Sequence, residues 1–437
     1  MSGSDYRMRL VGDLAEIGRD PWDHLVRATL EREASAKTDQ APARLACSEP
    51  TLLGELKPGE AGSEAADRQQ GGSVSDPLVP PPCLPAFLRY DFLHTLAQTG
   101  CVGPGTGWQP LFLTLWQSKK LVAALPLYAK SHSYGEYVFD WSWADAYERH
   151  GLDYYPKLLS AIPFTPVTGP RLLAVDTQSE TALVQTLLEQ ARQSQLSSLH
   201  VLYPTDAQAS LLSSAGLMLR RAVQFHWRNA GYHSFDDFLQ TLAQPKRKKI
   251  RAERRKVAQA GIHFERLIGR EILDEHWDFF ASCYETTYAE HHSTPYLNRE
   301  FFKQLGRKMP ENLVLIVARR GQQPIASSLL VRDADRLYGR YWGAIERVDC
   351  LHFETAYYQA IETAIELGIQ VLEGGAQGEH KMARGFLPQP TVSAHWLAHP
   401  EFADAVDRFL AREGNAISNY IDELHERNPF VRPSDQT

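Results

Sequence analysis

The segment Leu313-Val-Leu-Ile-Val-Ala-Arg-Arg-Gly-Gln-Gln-Pro-Ile-Ala-Ser-Ser-Leu-Leu330 decides how this chain folds. Six apolar residues lead into a polar turn containing a glycine, and a second apolar run follows, which is the pattern of a β-hairpin. Leu113 to Leu127 has the same pattern as Ile316 to Leu330, and the matches continue outward on both sides. Arg9-Leu-Val-Gly12 with Pro21-Trp-Asp23 resembles Arg266-Leu-Ile-Gly269 with His276-Trp-Asp278. Phe87 to Leu93 resembles Tyr296 to Phe302, Ser133-Tyr-Gly-Glu-Tyr137 resembles Leu337-Tyr-Gly-Arg-Tyr341, and Tyr154-Tyr155 resembles Tyr357-Tyr358. Five blocks in one order imply a tandem duplication.

Each copy reads as a strand (Met8–Val11; His263–Leu267), a helix on the Trp-Asp pair and a helix on the Phe/Leu block. Strands with tight turns follow, then a helix (Tyr154–Ala161; Thr355–Leu367) and, in the second copy, a strand at Leu372. Tyr357, Ile361 and Ile365 form an apolar stripe at helical spacing. The expected class is α+β, a mixed sheet covered by helices, in two modules at 1–225 and 226–437. Trp22 and Trp277 lie 255 positions apart but Phe87 and Tyr296 only 209, so the first half carries 46 extra residues between them. That stretch, about 35–83, is rich in Gly, Ser and Pro and poor in apolar residues. It cannot offset its own ordering entropy and is expected to be a disordered loop.

The 437 residues are 43% hydrophobic and 23% charged, which excludes general disorder and suits two or three cores. No apolar run reaches the ~20 residues of a spanning helix, and no signal peptide opens the sequence. Five cysteines without a C-x-x-C pair encode neither a disulfide framework nor a zinc site, so a reducing, cytoplasmic location is expected. Glu290-His291-His292 is not read as a metal site, because adjacent histidines on a helix project apart. With a net charge of −7 and pI near 6.2, any attraction for polyanions must be local.

One stretch supplies it. Lys246, Arg247, Lys248, Lys249, Arg251, Arg254, Arg255 and Lys256 place eight cations and one acid in eleven positions. Ile250 and Val257, seven apart, leave the helix one narrow apolar face. A solvated helix is the bland reading; a phosphate-binding face for tRNA, a nucleotide-linked precursor or an anionic membrane is the functional one. A second stretch, Glu373-Gly-Gly-Ala-Gln-Gly-Glu-His-Lys381, follows apolar Val371-Leu372 and so sits where a strand ends, a common place for chemistry in α/β folds. Glu373, Glu379 and His380 are candidate proton acceptors for an attacking amine. Gln377, Lys381 and Arg384 can orient or neutralise a carbonyl, carboxylate or phosphate. The corresponding stretch of the first half is read as Pro166 to Arg171, which has none of these acids, so the second copy is favoured for chemistry. Asp140, Trp141 and Asp145 lie in an aromatic and acidic run suited to an amine or sugar-peptide acceptor, and Tyr338, Tyr341 and Glu354 join them as substrate-binding candidates. Glu354 also has a plain explanation as a helix-capping acid. The Gly103/Gly105/Gly107 run is not a dinucleotide fingerprint, since no strand leads into it.

The order of elements is that of the GNAT acyltransferase fold. Gly100 to Trp108, Lys130 to Arg149, Lys246 to Gly261 and Gly374 to Phe386 resemble FemAB-like proteins, a branch of that superfamily named for peptidoglycan biosynthesis or recognition. The long Pro/Gly/Ser insert departs from the family pattern. Characterised Fem transferases add amino acids from aminoacyl-tRNA to the peptide of a cell-wall precursor, and have a basic helix leading into the second module. The resemblance implies acyl or aminoacyl transfer to an amine acceptor such as a peptidoglycan precursor. The donor, aminoacyl-tRNA or acyl-CoA, would be a co-substrate, with no permanently bound cofactor and a possible peripheral contact with anionic membrane. Acetyl-CoA-using relatives carry a Gln/Arg-x-x-Gly-x-Gly/Ala turn that Asp349 to Glu354 lacks, which counts against acetyl-CoA. The alternatives are an acyl-CoA-dependent small-molecule N-acetyltransferase, and a non-catalytic protein that binds a peptidoglycan precursor or nucleic acid.

Overall fold

Residues 6–39, 84–375 and 378–431 are described in the computed structural model of the chain. The first half runs β1 (Arg7–Val11), α1 (Arg19–Asp39), α2 (Tyr90–Gln98), β2 (Trp108–Pro110), β3 (Phe112–Gln117), β4 (Lys120–Leu125) and β5 (Tyr128–Lys130). It continues with α3 (Trp141–Arg149), β6 (Lys157–Ser160), β7 (Leu173–Ala174), α4 (Thr177–Gln193), β8 (Ser198–Leu202), α5 (Asp206–Ser214) and β9 (Met218–Arg228). Two helices, α6 (Phe235–Thr241) and α7 (Gln244–Gln259), lead into the second half. There follow β10 (Ile262–Ile268), α8 (Asp274–Glu290), α9 (Arg299–Lys308), β11 (Leu313–Arg320), β12 (Gln323–Arg332) and β13 (Arg336–Ala344). A helical segment is made of α10 (Leu351–Phe353), a π-helical turn (Glu354–Tyr358) and α11 (Gln359–Glu366). The chain ends with β14 (Val371–Glu373), a 3₁₀ turn (Glu379–Arg384), β15 (Leu387–Leu397) and α12 (Pro400–Glu426). No helix among the described residues is long and apolar enough to cross a membrane.

The hairpin expected at 313–330 is β11 and β12, and its side chains alternate between two cores because a strand has period two. Leu313, Leu315 and Val317 join Trp277, Phe280, Phe301 and Phe302 on one face. Val314 and Ile316 join Tyr357, Tyr358, Ile361 and Ile365 on the other. A strand buried on both faces must be apolar throughout, which is why the segment reads as a continuous run. The repeated tryptophans are core, Trp22 fully buried and Trp277 nearly so. Their aspartates tie each helix to the next: Asp23 accepts from the Tyr90 amide at 2.9 Å, and Asp278 pairs with Lys303 at 2.7 Å. The paired helices of the two halves also meet, Phe92 packing edge-on against Phe301 at 5.8 Å.

The sheets show how the copies are joined. One four-stranded sheet has the order β1-β3-β4-β7, and an eleven-stranded sheet has the order β10-β11-β12-β13-β14-β9-β15-β8-β6-β5-β2. β13 runs parallel to β14. The strand beside β14, however, is β9 from the first half, while β15 of the second half lies against β8 of the first. β9 and β15 pair with each other along the seam. The copies have exchanged their last strands. The α+β class, a mixed sheet covered by helices, is as expected, but the 225/226 division falls inside β9.

Three local expectations are corrected. Tyr154 to Ala161 is not a helix: β6 lies there, fully buried between β5 and β8, and Pro156 disfavours helix at Tyr155 and has no N–H to give. Ser133 to Tyr137 is a loop, whereas Leu337 to Tyr341 lies within β13, so the last two repeat blocks are not structural equivalents. β5, α3 and β6 are instead an insertion of the first half between β4 and β7. The strand that corresponds to β14 is therefore β8, and the counterpart of 374–386 follows Leu202 rather than lying at Pro166 to Arg171. Of the expected 35–83 loop, residues 35–39 are the end of α1, and 40–83 lie outside the described residues.

Candidate active site

A cavity of about 450 Å³ opens beside the bulged part of β13 and the end of β14. Gly339, Tyr341 and Gly374 line it from the strands, His352 and Tyr357 from the α10–π segment, and Thr287 and His291 from the end of α8. A bulge at Arg340 breaks the register between β12 and β13 at the cavity edge, a common device beside functional sites. The π turn carries Tyr357 into the wall, and its hydroxyl lies 3.1 Å from His380 Nε2. Burial pushes the Tyr357 phenol up to about 12. Burial, and then the cations Lys381 and Arg384, lower the pKa of His380, so its imidazole is neutral near pH 7 and free to accept a proton. His352, in the same wall, is lowered to about 4 by burial and by His380.

The three candidate proton acceptors do not converge. Glu373 ends β14 buried, with Arg336 donating to it at 2.9 Å and His226 3.8 Å away; burial raises its carboxyl to about 7 against the pull of Arg336. Its register partner is Tyr338, whose hydroxyl donates to Asp333 at 2.8 Å. Tyr338 and Arg336 line a second cavity, about 330 Å³, whose other walls come partly from the first half. Glu379 is exposed and turned toward α12, where it accepts from the Tyr420 hydroxyl and lies 3.6 Å from Arg427. None of the three lines the cavity itself; His380 contacts its wall through Tyr357. Gln377 lies outside the described residues.

Lys381 is buried and donates to the Gly375 carbonyl at 3.0 Å; burial lowers its ammonium to about 8. Arg384 does not pair with Glu379 and is not open to a substrate. It donates to Glu253 at 3.0 and 3.2 Å and lies over the Phe353 ring at 3.6 Å. Glu354 is likewise occupied: Arg254 and Gln359 hold it at 3.1 and 2.8 Å. Tyr341 lines the cavity, with its hydroxyl 3.5 Å from the Phe164 carbonyl.

The basic stretch is α7, and its apolar stripe Ile250 and Val257 is buried as expected. Lys248, Lys249, Arg251, Arg255 and Lys256 are exposed, while Lys246 and Arg247 are half-buried. Arg254 turns inward to Glu354 and Glu362, the latter at 2.8 Å, and is not part of the outer cationic face. The acids on the π–α11 segment draw it in. Through Arg254 and Glu253, α7 is fastened to the π turn and the 3₁₀ turn that flank the cavity.

In the first half, Asp140 is not available to an acceptor. Lys157 and the Tyr154 hydroxyl occupy its carboxylate; burial would raise its pKa, but Lys157 and His200 hold it below the ordinary range. Asp145 is exposed on α3, and Trp141 is half-exposed against Tyr134 with ring centres 4.9 Å apart. Residues missed from sequence include Tyr357 and His352 as cavity groups. Tyr357 was legible only as part of a helical stripe, because no spacing rule marks a π turn.

The sequence model of the FemAB-like family, described as peptidoglycan biosynthesis/recognition, matches residues 81–432. No curated protein matches the chain. Among solved structures, FemX is 11% identical, with 73% of this chain and 94% of that chain covered at a TM-score of 0.46. A tandem GNAT protein from the clavulanic acid biosynthesis pathway is 12% identical, covering 91% and 99% at 0.43. L-PGS from Bacillus licheniformis is 10% identical, covering 74% and 96% at 0.43.

Proposed function

The chain belongs to the FemAB-like family of peptidoglycan biosynthesis/recognition, and from that premise we propose that it transfers an aminoacyl group from a tRNA-linked donor to an amine of a peptidoglycan-type acceptor. The observation that carries this reading is the placement of α7. Its exposed cations ride on a helix fastened to both turns that flank the 450 Å³ cavity. A polyanion held on that face brings its acyl end to the cavity, whereas an acyl-CoA donor would need no such extended face.

In the cavity the acceptor amine attacks the carbonyl carbon of the acyl ester directly. The C–N bond forms, the ester C–O bond breaks, and the amine proton passes through the Tyr357 hydroxyl to His380, which returns one to the leaving oxygen. Glu373 is buried and held by Arg336, and acts as a positioning group that fixes the end of β14. No cysteine lines the cavity among the described residues, so no thiol intermediate is invoked.

The test is transfer of radiolabelled amino acids from charged tRNA to amine-bearing muropeptides. Tyr357→Phe and His380→Ala are expected to lower kcat by about 10²–10⁴-fold, with tRNA affinity unchanged. Wild-type turnover in the folded double variant would remove the pair from the mechanism. Turnover with acyl-CoA but not charged tRNA would favour the acyl-CoA alternative.

A further inference from the structure

Two cavities of about 530 and 360 Å³ adjoin on the first-half side, and Tyr134 and Tyr296 line both, so they form one groove. Each falls within the ~300–1,000 Å³ of small-molecule sites. His291 lines the transfer cleft and its neighbour His292 lines the groove, so the groove begins where the cleft ends.

The lining has an unusual chemistry for a chain with 23% charged residues: no Asp, Glu, Lys or Arg lines either cavity among the described residues. The walls are aromatic, with Trp108, Tyr134, Tyr137, Phe139, Trp141 and Tyr296 on them. Tyr134, Phe139 and Trp141 are 56%, 53% and 37% exposed, a cluster of large apolar side chains in water that a folded chain normally avoids unless something docks there. Between the rings stand neutral hydrogen-bonding groups, Thr106, His132, Ser133, Ser293 and Thr294.

These groups are held from below. The Ser133 hydroxyl accepts from Lys157 Nζ at 2.9 Å and lies 2.8 Å from the Tyr155 hydroxyl. Lys157 is fully buried and balanced by Glu136 and Asp140, so the ion cluster orients Ser133 without presenting charge to the groove. His132 is fixed by its Nε2 contact with the Thr106 carbonyl at 3.1 Å. Glycine is required at two positions beneath. A Cβ at Gly107 would lie 2.1 Å from the His132 ring, and one at Gly135 would lie 2.6 Å from Phe164.

Flat aromatic faces with neutral polar groups between them match one ligand chemistry well. A pyranose ring offers a C–H face to stack on the rings and an edge of hydroxyls to bond the polar groups. A phosphate or nucleotide would find no cation on the walls, since Lys130 is fully buried beneath them with its Nζ over the Trp108 ring at 4.0 Å, and an ammonium ion would find no carboxylate there. We propose that the groove binds a neutral saccharide ring carrying no phosphate. Resting on the transfer reading, this makes the sugar part of the acceptor and places its amine toward the adjoining cleft.

Direct binding tests the proposal without any need for turnover, so its failure is distinguishable from failure of the transfer reading. The full chain is titrated with chitotriose, maltotriose, UDP-N-acetylglucosamine and tetramethylammonium, followed by tryptophan fluorescence and calorimetry. At least one trisaccharide is expected to bind saturably. Trp141→Ala and Tyr134→Ala, both at exposed side chains, should each weaken it by about tenfold or more with unchanged melting temperature. The proposal is overturned if neither trisaccharide binds below about 10 mM. It is equally overturned if the nucleotide sugar binds more than about tenfold more tightly than the trisaccharides, if tetramethylammonium competes for the groove, or if both variants bind as wild type.

Discussion

Glu253 is the one acid among the eight cations of the basic stretch, and it is the residue that anchors the stretch to the protein. Its side chain is buried and accepts from Arg384 and the Tyr358 hydroxyl. Arg251 with Asp236, by contrast, is an exposed pair at 3.1 Å with side chains 47% and 72% exposed. Exposed pairs contribute about 0–1 kcal/mol, because water screens them. Removing one partner of a buried pair costs about 3–5 kcal/mol, because a charge is left without compensation. Glu253→Ala should therefore lower the urea midpoint of the full chain strongly, Asp236→Ala hardly at all. Equal midpoints for the two variants would show that Arg384 finds another partner.

At the scale of the element, α7 has two roles on two faces. Ile250, Glu253, Arg254 and Val257 hold it to the second half, and Lys248, Lys249, Arg251, Arg255 and Lys256 face water. Lys248→Glu with Arg255→Glu should weaken tRNA binding and flatten its salt dependence, each neutralised phosphate contact contributing about 0.7–0.9 to the log–log slope. Arg254→Ala should instead lower stability and leave that slope nearly unchanged, since its guanidinium is committed to Glu354 and Glu362. Filter binding across a salt series checks both. An unchanged slope in the double charge reversal would make α7 a solvated face only.

At the scale of the molecule, the exchange of β9 and β15 makes the two copies mutually dependent. β14 loses one of its two neighbours without β9, and β8 loses one of its two without β15. One core also spans both halves, containing Trp22 and Leu93 together with Trp277 and Phe301. Chains of 1–228 and 229–437 expressed separately should thus expose unpaired edges and apolar faces, and remain unfolded or aggregate. Co-expressed, they should assemble. Cooperative melting of either piece alone, by circular dichroism, would contradict this.

The duplication, the α+β class, both hairpins and the basic helix were legible in the sequence. Each is written in local pattern or composition: the continuous apolar run of Leu313 to Ala318, the stripe of Ile250 and Val257, the eight cations. Site residues were legible only in part. Glu373, Glu379 and His380 are near in sequence, but one ends a strand and the other two open a 3₁₀ turn, and the three meet different environments. Only the tertiary structure decided which faces the cavity, that Arg254 and Arg384 are spent on buried acids, and that a charge-free aromatic groove forms from residues near 106, 134, 141 and 296. Periodicity reports which side of an element is apolar. What that side meets depends on partners more than a hundred residues away, and the exchanged strands are the extreme case, since nothing local in β9 or β15 states which copy it will complete.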